Sequence, residues 1–511
     1  MSKQDVLVKS NKMKANMGGY EATCPGKLIK KYIFLLADDI TYIFNQCLTE
    51  GVCPKELKQA IITPIYKGGS RKEPTNYRPV SCVPFLAKLL EALINDQIKH
   101  YLQANNFINP MQFGFREGSN TTLALAHLQM YVTKTWEENK IAAAIFVDVE
   151  KAFDSINRSF LLHILKELKF TEEPLAFFKS YFTDRTQRTK NGKHLSDCSE
   201  PKLGTPQGTS LSPTLFLIFI NSLLRASTLQ PICFADDITF IAPVDPKNPT
   251  PDITHINREL AKITQWYCSH RLCINISKTK MMIFSTRQRL SDVPLPILMN
   301  DTNVQQVDRY KCLGITLDKQ LSFREHVEII LSKVKMIIPA LAKLENCGVP
   351  RNHTLGVYRA LFLPYIIYGI EIYGKTYTSI LGKLQIAQNN AVRAMLGYRK
   401  RENVTGLYGK HKLLNIKYLY RYELGVMGYK NFTGRLQGEN SFYYEQNKNN
   451  LINSLPFKEP FTRFDYRLRA PDLAIVKLWN TIDKEIRDAP TIKMFKRKWH
   501  AKLLTEQSTE W

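Results

Sequence analysis

The stretch that most constrains this chain is Ile232–Ala242, ICFADDITFIA. It is an apolar, β-favouring run interrupted by two adjacent aspartates, Asp236 and Asp237. Apolar residues on both sides predict a buried strand, and two charges in the middle predict a turn. Aspartate tolerates turn conformations, so the stretch reads as a hairpin with both carboxylates at its tip. Side by side they repel, and burying either one is costly. A divalent cation would remove that cost. The sequence therefore predicts metal here, together with a third carboxylate brought to the same tip.

The letters ADDIT occur a second time, at Ala37–Thr41. There the apolar residues Leu28, Ile29, Tyr32, Ile33, Leu36, Ile40, Ile43, Phe44 and Leu48 fall on a helical stripe, with Asp38 and Asp39 off it. Periodicity makes this copy a solvated helix face.

A chain of 511 residues exceeds one ordinary core, so roughly two to four domains or subdomains are expected. Seventy-one Lys and Arg against 46 Asp and Glu leave a net charge of +25, which points to a polyanionic partner. Hydrophobic content of 44% excludes a disordered chain. The polar, Lys-rich N-terminus lacks the apolar core of a signal peptide, and no apolar run approaches the ~20 residues of a membrane span. An intracellular protein is expected, in the nucleus, the cytoplasm or both, without a membrane partner. The ten cysteines include no C-x-x-C pair. Cys268, His270 and Cys273 are close, but no second ligand pair follows, so the cysteines read as core thiols of a reducing compartment.

Along the chain, residues 1–27 read as a loose polar leader with Gly18-Gly19. Ala60–Lys67 reads as a strand running into a loop that reaches Pro79 and carries Lys67, Arg71, Lys72 and Arg78. Basic residues there suit a triphosphate or a nucleic-acid backbone, with a solvated loop the alternative for Arg71 and Lys72. Phe85–Leu102 is an amphipathic helix. Met111–Arg116, MQFGFR, precedes a helix over Thr121–Trp136; its Gly between two aromatics beside Arg116 suits stacking on a base with close backbone approach. Ile141–Val147 reads as a buried strand that ends at Asp148, a carboxylate that is costly there without a partner. Lys151 reads as the start of a helix through Leu168, with Asp154 either on its surface or in a site. In Lys202–Leu217 a Gly/Pro/Thr/Ser loop leads into an apolar helix. Gly204 and Gly208 allow close approach, and Gln207 offers both a donor and an acceptor. A helix over Ile253–Ser269, an alternating strand over Leu272–Ser285 with Lys278 and Lys280, and a strand over Tyr310–Phe323 that turns back come next. Helices follow at His326–Leu344 and Leu384–Gly397, then a basic segment at Phe495–Lys502.

The blocks YKGGSRKEPTNYRPVS, QFGFREGSNTTLAL, FVDVEKAFDSI, GTPQGTSLSPTLF, FADDITF, CINISKTKMMIF and YKCLGITLD occur in this order. Together they resemble the successive blocks of a reverse transcriptase, and most closely those of non-LTR (LINE-type, jockey-like) retrotransposons, from Lys58 to Leu317. The resemblance implies an α+β right-hand polymerase: fingers over residues 28–140, a palm with an antiparallel sheet over 141–322, a helical thumb over 323–375 and a mainly helical, basic C-terminal region over 376–511. It makes Asp148, Asp236 and Asp237 the catalytic and metal-binding residues, with Asp148 and Asp236 the direct ligands. Two Mg²⁺ ions about 3.5–4 Å apart are implied, with Mn²⁺ as an alternative. Phe153 falls where the family places an aromatic under the nucleotide sugar, excluding a 2′-hydroxyl. Gln207 and Gly208 are implied to support the templating pair, and Lys278 to assist pyrophosphate departure. Lys67, Arg78 and Arg116 are implied as triphosphate or template contacts. Implied partners are a template RNA, a DNA primer or target site, and dNTPs; the oligomeric state is left open. About sixty residues precede the first block, too few for the endonuclease usual in such elements, so an endonuclease is not expected, and no RNase H pattern is seen. The other reading is a catalytically silent, retroelement-derived RNA-binding protein.

Overall fold

The computed structural model describes residues 1–14, 24–286, 295–434, 442, 457–459 and 461–510. The fold is α+β. Among the described residues, nine strands build its two larger sheets: β1 (Gln59–Tyr66), β2 (Tyr77–Cys82), β3 (Ile141–Val147), β4 (Thr186–Asn191), β5 (His194–Leu195), β6 (Gln230–Phe234), β7 (Asp237–Val244), β8 (Lys280–Phe284) and the short strand Gln305–Gln306. The chain divides into two compact units. The first is Met1–Asn109, Asp148–Thr228 and Glu259–Asn275; the second is Pro110–Val147, Leu229–Arg258 and Ile276–Trp511.

In the first unit the sheet runs β2-β1-β4-β5, with β1 antiparallel to β2 and parallel to β4. The loop expected to reach Pro79 is shorter, because Tyr77–Cys82 is a strand and Arg78 pairs with Ile65 on β1. Two prolines, Pro64 and Pro79, face each other in this hairpin. They are tolerated because β2 is an edge strand and β1 meets β4 only over Gln59–Ile62. The helix expected from Lys151 begins later, at Arg158. Lys151 has φ +47°, and Asn157 caps the helix by accepting from the Phe160 N–H at 3.0 Å. Lys3–Lys12, expected to be loose, is a helix closed by a Ser2–Asp5 capping box; Gly18-Gly19 lies outside the described residues. In the helix Ile33–Thr49, Ala37 and Ile40 are buried while Asp38 and Asp39 are exposed, and Asp38 pairs with Lys3 at 2.7 Å.

In the second unit β3 is central, between β7 and β8, with β6 beyond β7 and the short strand Gln305–Gln306 beyond β8. Every residue of β3 is buried, which accounts for an unbroken IAAAIFV without polar alternation. The strand expected over Leu272–Ser285 is confined to β8, and Lys278 lies in the turn before it. Arg309–Cys312 and Ile315–Asp318 form the expected return hairpin. The helices Arg324–Asn346, Thr378–Leu396, Ile416–Phe432, Pro471–Thr481 and Ile492–Thr509 share one apolar core with the sheet, from Phe113 and Trp136 to Trp499 and Leu503.

All ten cysteines are free, but five of them, Cys24, Cys198, Cys268, Cys273 and Cys347, are exposed rather than core thiols. His270 is buried and stacks on Trp266 at 3.7 Å, so its ring is held by packing. Among the described residues, no helix is long and apolar enough to cross a membrane.

Half-buried Glu371 gives the fold a pH expectation. Glu371 Oε2 is sealed from solvent with no hydrogen-bond partner among the described residues. Burial, reinforced by the charge of Glu423, pushes this carboxyl up to about 8. The folded state thus prefers the protonated acid, so this group's stabilisation is complete at low pH and is lost as pH rises through about 8. Glu371→Gln, an isostere of the neutral acid, should be more stable than the wild type in urea at pH 9 and similar at pH 4. An equal difference at both pH values would contradict the assignment.

Candidate active site

Strands β6 and β7 pair as far as Phe234 opposite Asp237, leaving Ala235 and Asp236 as a two-residue turn. Asp236 and Asp237 are exposed. Ala235 has φ +58°, a left-handed conformation that costs a non-glycine residue about 1–2 kcal/mol. Gln112, only 1% exposed, holds it there. The Gln112 Oε1 accepts from the Ala235 N–H at 2.8 Å and from the Gly114 N–H at 2.9 Å, while its Nε2 donates to the Ala235 carbonyl at 3.3 Å. Main-chain bonds on either side, Cys233 N–H to Met111 O at 3.0 Å and Phe113 N–H to Cys233 O at 2.8 Å, zip the two segments together. A Cβ on Gly114 would fall 2.2 Å from the Ala235 nitrogen, so only glycine fits.

This corrects the reading of MQFGFR. The close approach of Gly114 is to the Ala235 backbone, and Phe113 is a fully buried core residue packed on the His127 ring at 5.0 Å. Phe115 is exposed. Arg116 is half-buried, donates to the Gln112 carbonyl at 3.4 Å, and has its pKa lowered by burial. Gln112 was missed in the sequence. The available signal was a polar amide, able to both donate and accept, two residues before a glycine.

In the second sheet, β3 ends opposite the start of β7. Val147, the last residue of β3, pairs with Ile238. Asp148 follows Val147 in the chain, and Asp237 precedes Ile238. Asp148 is half-buried, and its carbonyl accepts from the Asn275 N–H at 2.8 Å. The charge of Asp237 adds to burial in pushing the Cys312 thiol up to about 12. Among the described residues, no group of three or more His, Cys, Asp or Glu side chains is gathered closely enough to hold a metal ion.

In the first unit the Gly204–Gly208 loop is laced to the turn after Asp148. The Gly204 N–H donates to Ile156 O at 2.8 Å, and the Thr205 N–H to Phe153 O at 3.1 Å. Gly204 has φ +76°, and a Cβ there would meet the Asp154 backbone at 2.7 Å. Gln207 Nε2 donates to Asp154 Oδ1 at 2.8 Å, and the Gln207 carbonyl accepts from the Ser81 N–H at 2.7 Å. Asp154 thus belongs with this loop, not on a helix surface. Burial raises its pKa, and the Gln207 bond, Lys151 and Lys67 act against that. Phe153 is half-buried and stacks on Phe216 at 4.4 Å. Gly208 (φ +89°), Lys67 and Arg78 are exposed in the same unit; Lys278 is exposed in the second.

Residues 66–317 match the family model described as reverse transcriptase (RNA-dependent DNA polymerase). They form a reverse transcriptase domain. The chain is similar to a probable RNA-directed DNA polymerase from transposon BS of Drosophila melanogaster, 29% identical over 369 residues that cover 70% of this chain and 40% of that protein. It is also similar to the RNA-directed DNA polymerase from mobile element jockey of Drosophila melanogaster, at 28% identity over 73% of this chain and 42% of that protein. The chain therefore spans about two fifths of the length of these relatives. Among solved structures, truncated apo telomerase from Candida tropicalis aligns with a TM-score of 0.37 and 14% identity, over 52% of this chain and 54% of that one.

The strained turn of this reverse transcriptase domain gives opposite expectations for two small substitutions. Ala235→Gly should raise unfolding stability by roughly 0.5–1 kcal/mol, because the left-handed cost disappears. Gly114→Ala should lower it by about 1–3 kcal/mol, since the added methyl has no room. Urea denaturation checks both, and equal stability of the two variants would contradict the described turn.

Proposed function

We propose that the chain is an RNA-directed DNA polymerase of a non-LTR retrotransposon, adding dNTPs to a DNA primer along an RNA template. The observation that carries this reading is the carboxylate arrangement. Asp148 at the end of the central strand and Asp236-Asp237 at a neighbouring hairpin tip occur in order within a reverse transcriptase domain. The proposed fingers, palm, thumb and basic C-terminal region take residues 28–140, 141–322, 323–375 and 376–511.

The three aspartates offer only hard oxygen donors, which fits Mg²⁺ or Mn²⁺ better than zinc. Mg²⁺ is characteristically carried on one or two carboxylates, with waters and substrate phosphates completing its shell. Asp148 and Asp236 are the proposed principal holders, with Asp237 beside them. Two bound ions would make the primer 3′-hydroxyl a better nucleophile and offset charge on the transferring phosphate.

The remaining residues position the nucleotide. Phe153, backed by the Phe216 ring, presents a flat apolar surface against which a 2′-hydroxyl would clash. Gln207, fixed at its amide nitrogen by Asp154, and the backbone at Gly208 support the templating pair. Exposed Lys67, Arg78 and Lys278, with half-buried Arg116, are the proposed phosphate contacts.

Primer extension on poly(rA)/oligo(dT) tests the proposal. Wild-type chain should give metal-dependent product, and Asp236→Ala should lose roughly a thousandfold or more of the rate. Full synthesis by Asp236→Ala, or salt-sensitive RNA binding with no synthesis by wild type, would overturn it. Phe153→Ala should raise ribonucleotide incorporation; unchanged discrimination between dNTPs and NTPs would remove the gate.

A further inference from the structure

Two contacts bring the return hairpin of Arg309–Cys312 and Ile315–Asp318 to the end of the second sheet that carries Asp237. The Tyr310 ring stacks at 3.9 Å on Phe146, which pairs with Thr239, two residues from Asp237. Cys312 is buried, and its thiol is pushed up by burial and by the charge of Asp237. Cys312 pairs with Ile315, so Leu313 and Gly314 form the two-residue tip of the hairpin.

That tip is strained. Leu313 has φ +45° and Gly314 φ +86°, two positive values in succession, as the favoured two-residue hairpin turn requires. Glycine adopts them freely, whereas the first position usually takes asparagine, aspartate or glycine, not leucine. A side chain from far along the chain holds Leu313 there. The Tyr368 hydroxyl donates to the Leu313 carbonyl at 2.7 Å and lies 3.1 Å from the hydroxyl of Thr121, at the start of the helix Thr121–Glu137. With its one proton given to Leu313, the tyrosine oxygen accepts from Thr121. The ring covers the tip as well: a Cβ on Gly314 would fall 3.0 Å from Tyr368 Cε1. At the next residue, Gly369 (φ +66°), a Cβ would fall 2.6 Å from Ile315 Cδ1.

Tyr368 is 42% exposed, so core packing does not account for its place. Its oxygen joins three segments, as the Gln112 amide does at the Ala235 turn. Both side chains hold a left-handed, non-glycine residue at a two-residue turn near the same carboxylates. Strain maintained by outside contacts is characteristic of functional sites. We propose that Tyr368 is a positioning residue for nucleotidyl transfer: its hydroxyl locks the Leu313–Gly314 tip, and the locked tip keeps the reacting groups in register with Asp236 and Asp237. The proposal rests on the polymerase reading. A tip that shifts by about 1 Å costs rate rather than strand affinity, because orientation at the reacting atoms is lost while phosphate contacts elsewhere persist.

Tyr368→Phe tests it, since the ring stays over Gly314 and only the hydroxyl is removed. In single-turnover primer extension the rate constant should fall roughly tenfold. The fraction of active enzyme, titrated with primer–template, and the primer–template Kd should stay at wild-type values; a merely structural defect would lower the active fraction and leave the rate constant of the active molecules unchanged. Thr121→Val alone should slow synthesis severalfold, and should add nothing in Tyr368→Phe because it acts through the same oxygen. Hydrogen exchange of the chain without substrates should be faster across Lys311–Thr316 in Tyr368→Phe and unchanged in the helix Arg324–Asn346. A wild-type rate constant in Tyr368→Phe overturns the proposal and leaves the polymerase reading standing, and so do independent, additive losses in the Thr121 pair. No product from the wild type removes the polymerase reading and this inference with it.

Discussion

The amide of Gln112 is the interaction on which the candidate site depends most. An alanine in a left-handed conformation is a poor occupant for a two-residue hairpin turn, where glycine is the usual choice. One buried side chain satisfies both the N–H and the carbonyl of that alanine. Gly114, lying against the same backbone, leaves the turn no room to relax. The result is a strained turn held from the inside, with its two carboxylates facing solvent. Strain kept by surrounding contacts suits a place where charged groups must stay put while substrates come and go.

The first unit uses the same device on a second loop. Gly204 permits backbone contact with Asp154, main-chain bonds tie Gly204 and Thr205 to the Phe153–Ile156 turn, and Asp154 fixes the Gln207 amide. Aromatic stacking of Phe153 on Phe216 then sets the ring. In both places hydrogen bonds to main chain fix the backbone that carries the functional side chains. The net charge of +25 fits such ligands being polyanions.

Much of this was legible in the sequence. The apolar run of β3 with Asp148 at its end, the hairpin bearing Asp236-Asp237, and the contrast with Asp38-Asp39 all follow from hydrophobic period. What was not legible depended on partners far along the chain. MQFGFR looked like a base-stacking segment because nothing local shows that Phe113 is core or that Gly114 meets Ala235, more than a hundred residues on. The helix over Arg158–Glu167 was started too early because Lys151 in a left-handed turn leaves no mark in its neighbours. The loop expected to reach Pro79 gives way to a strand at Tyr77, and only pairing with β1 explains how that edge tolerates Pro79.

Under the proposed function, the Gln112 amide holds the Ala235 turn and so sets its carboxylates for nucleotidyl transfer. Comparing the single-turnover rate of RNA-templated DNA synthesis in Gln112→Leu and wild type, with far-ultraviolet circular dichroism as a fold control, tests it most directly. A folded variant whose rate falls by at least roughly tenfold is expected, because a buried backbone N–H loses its acceptor and the turn shifts. A folded Gln112→Leu protein with the wild-type rate would contradict it.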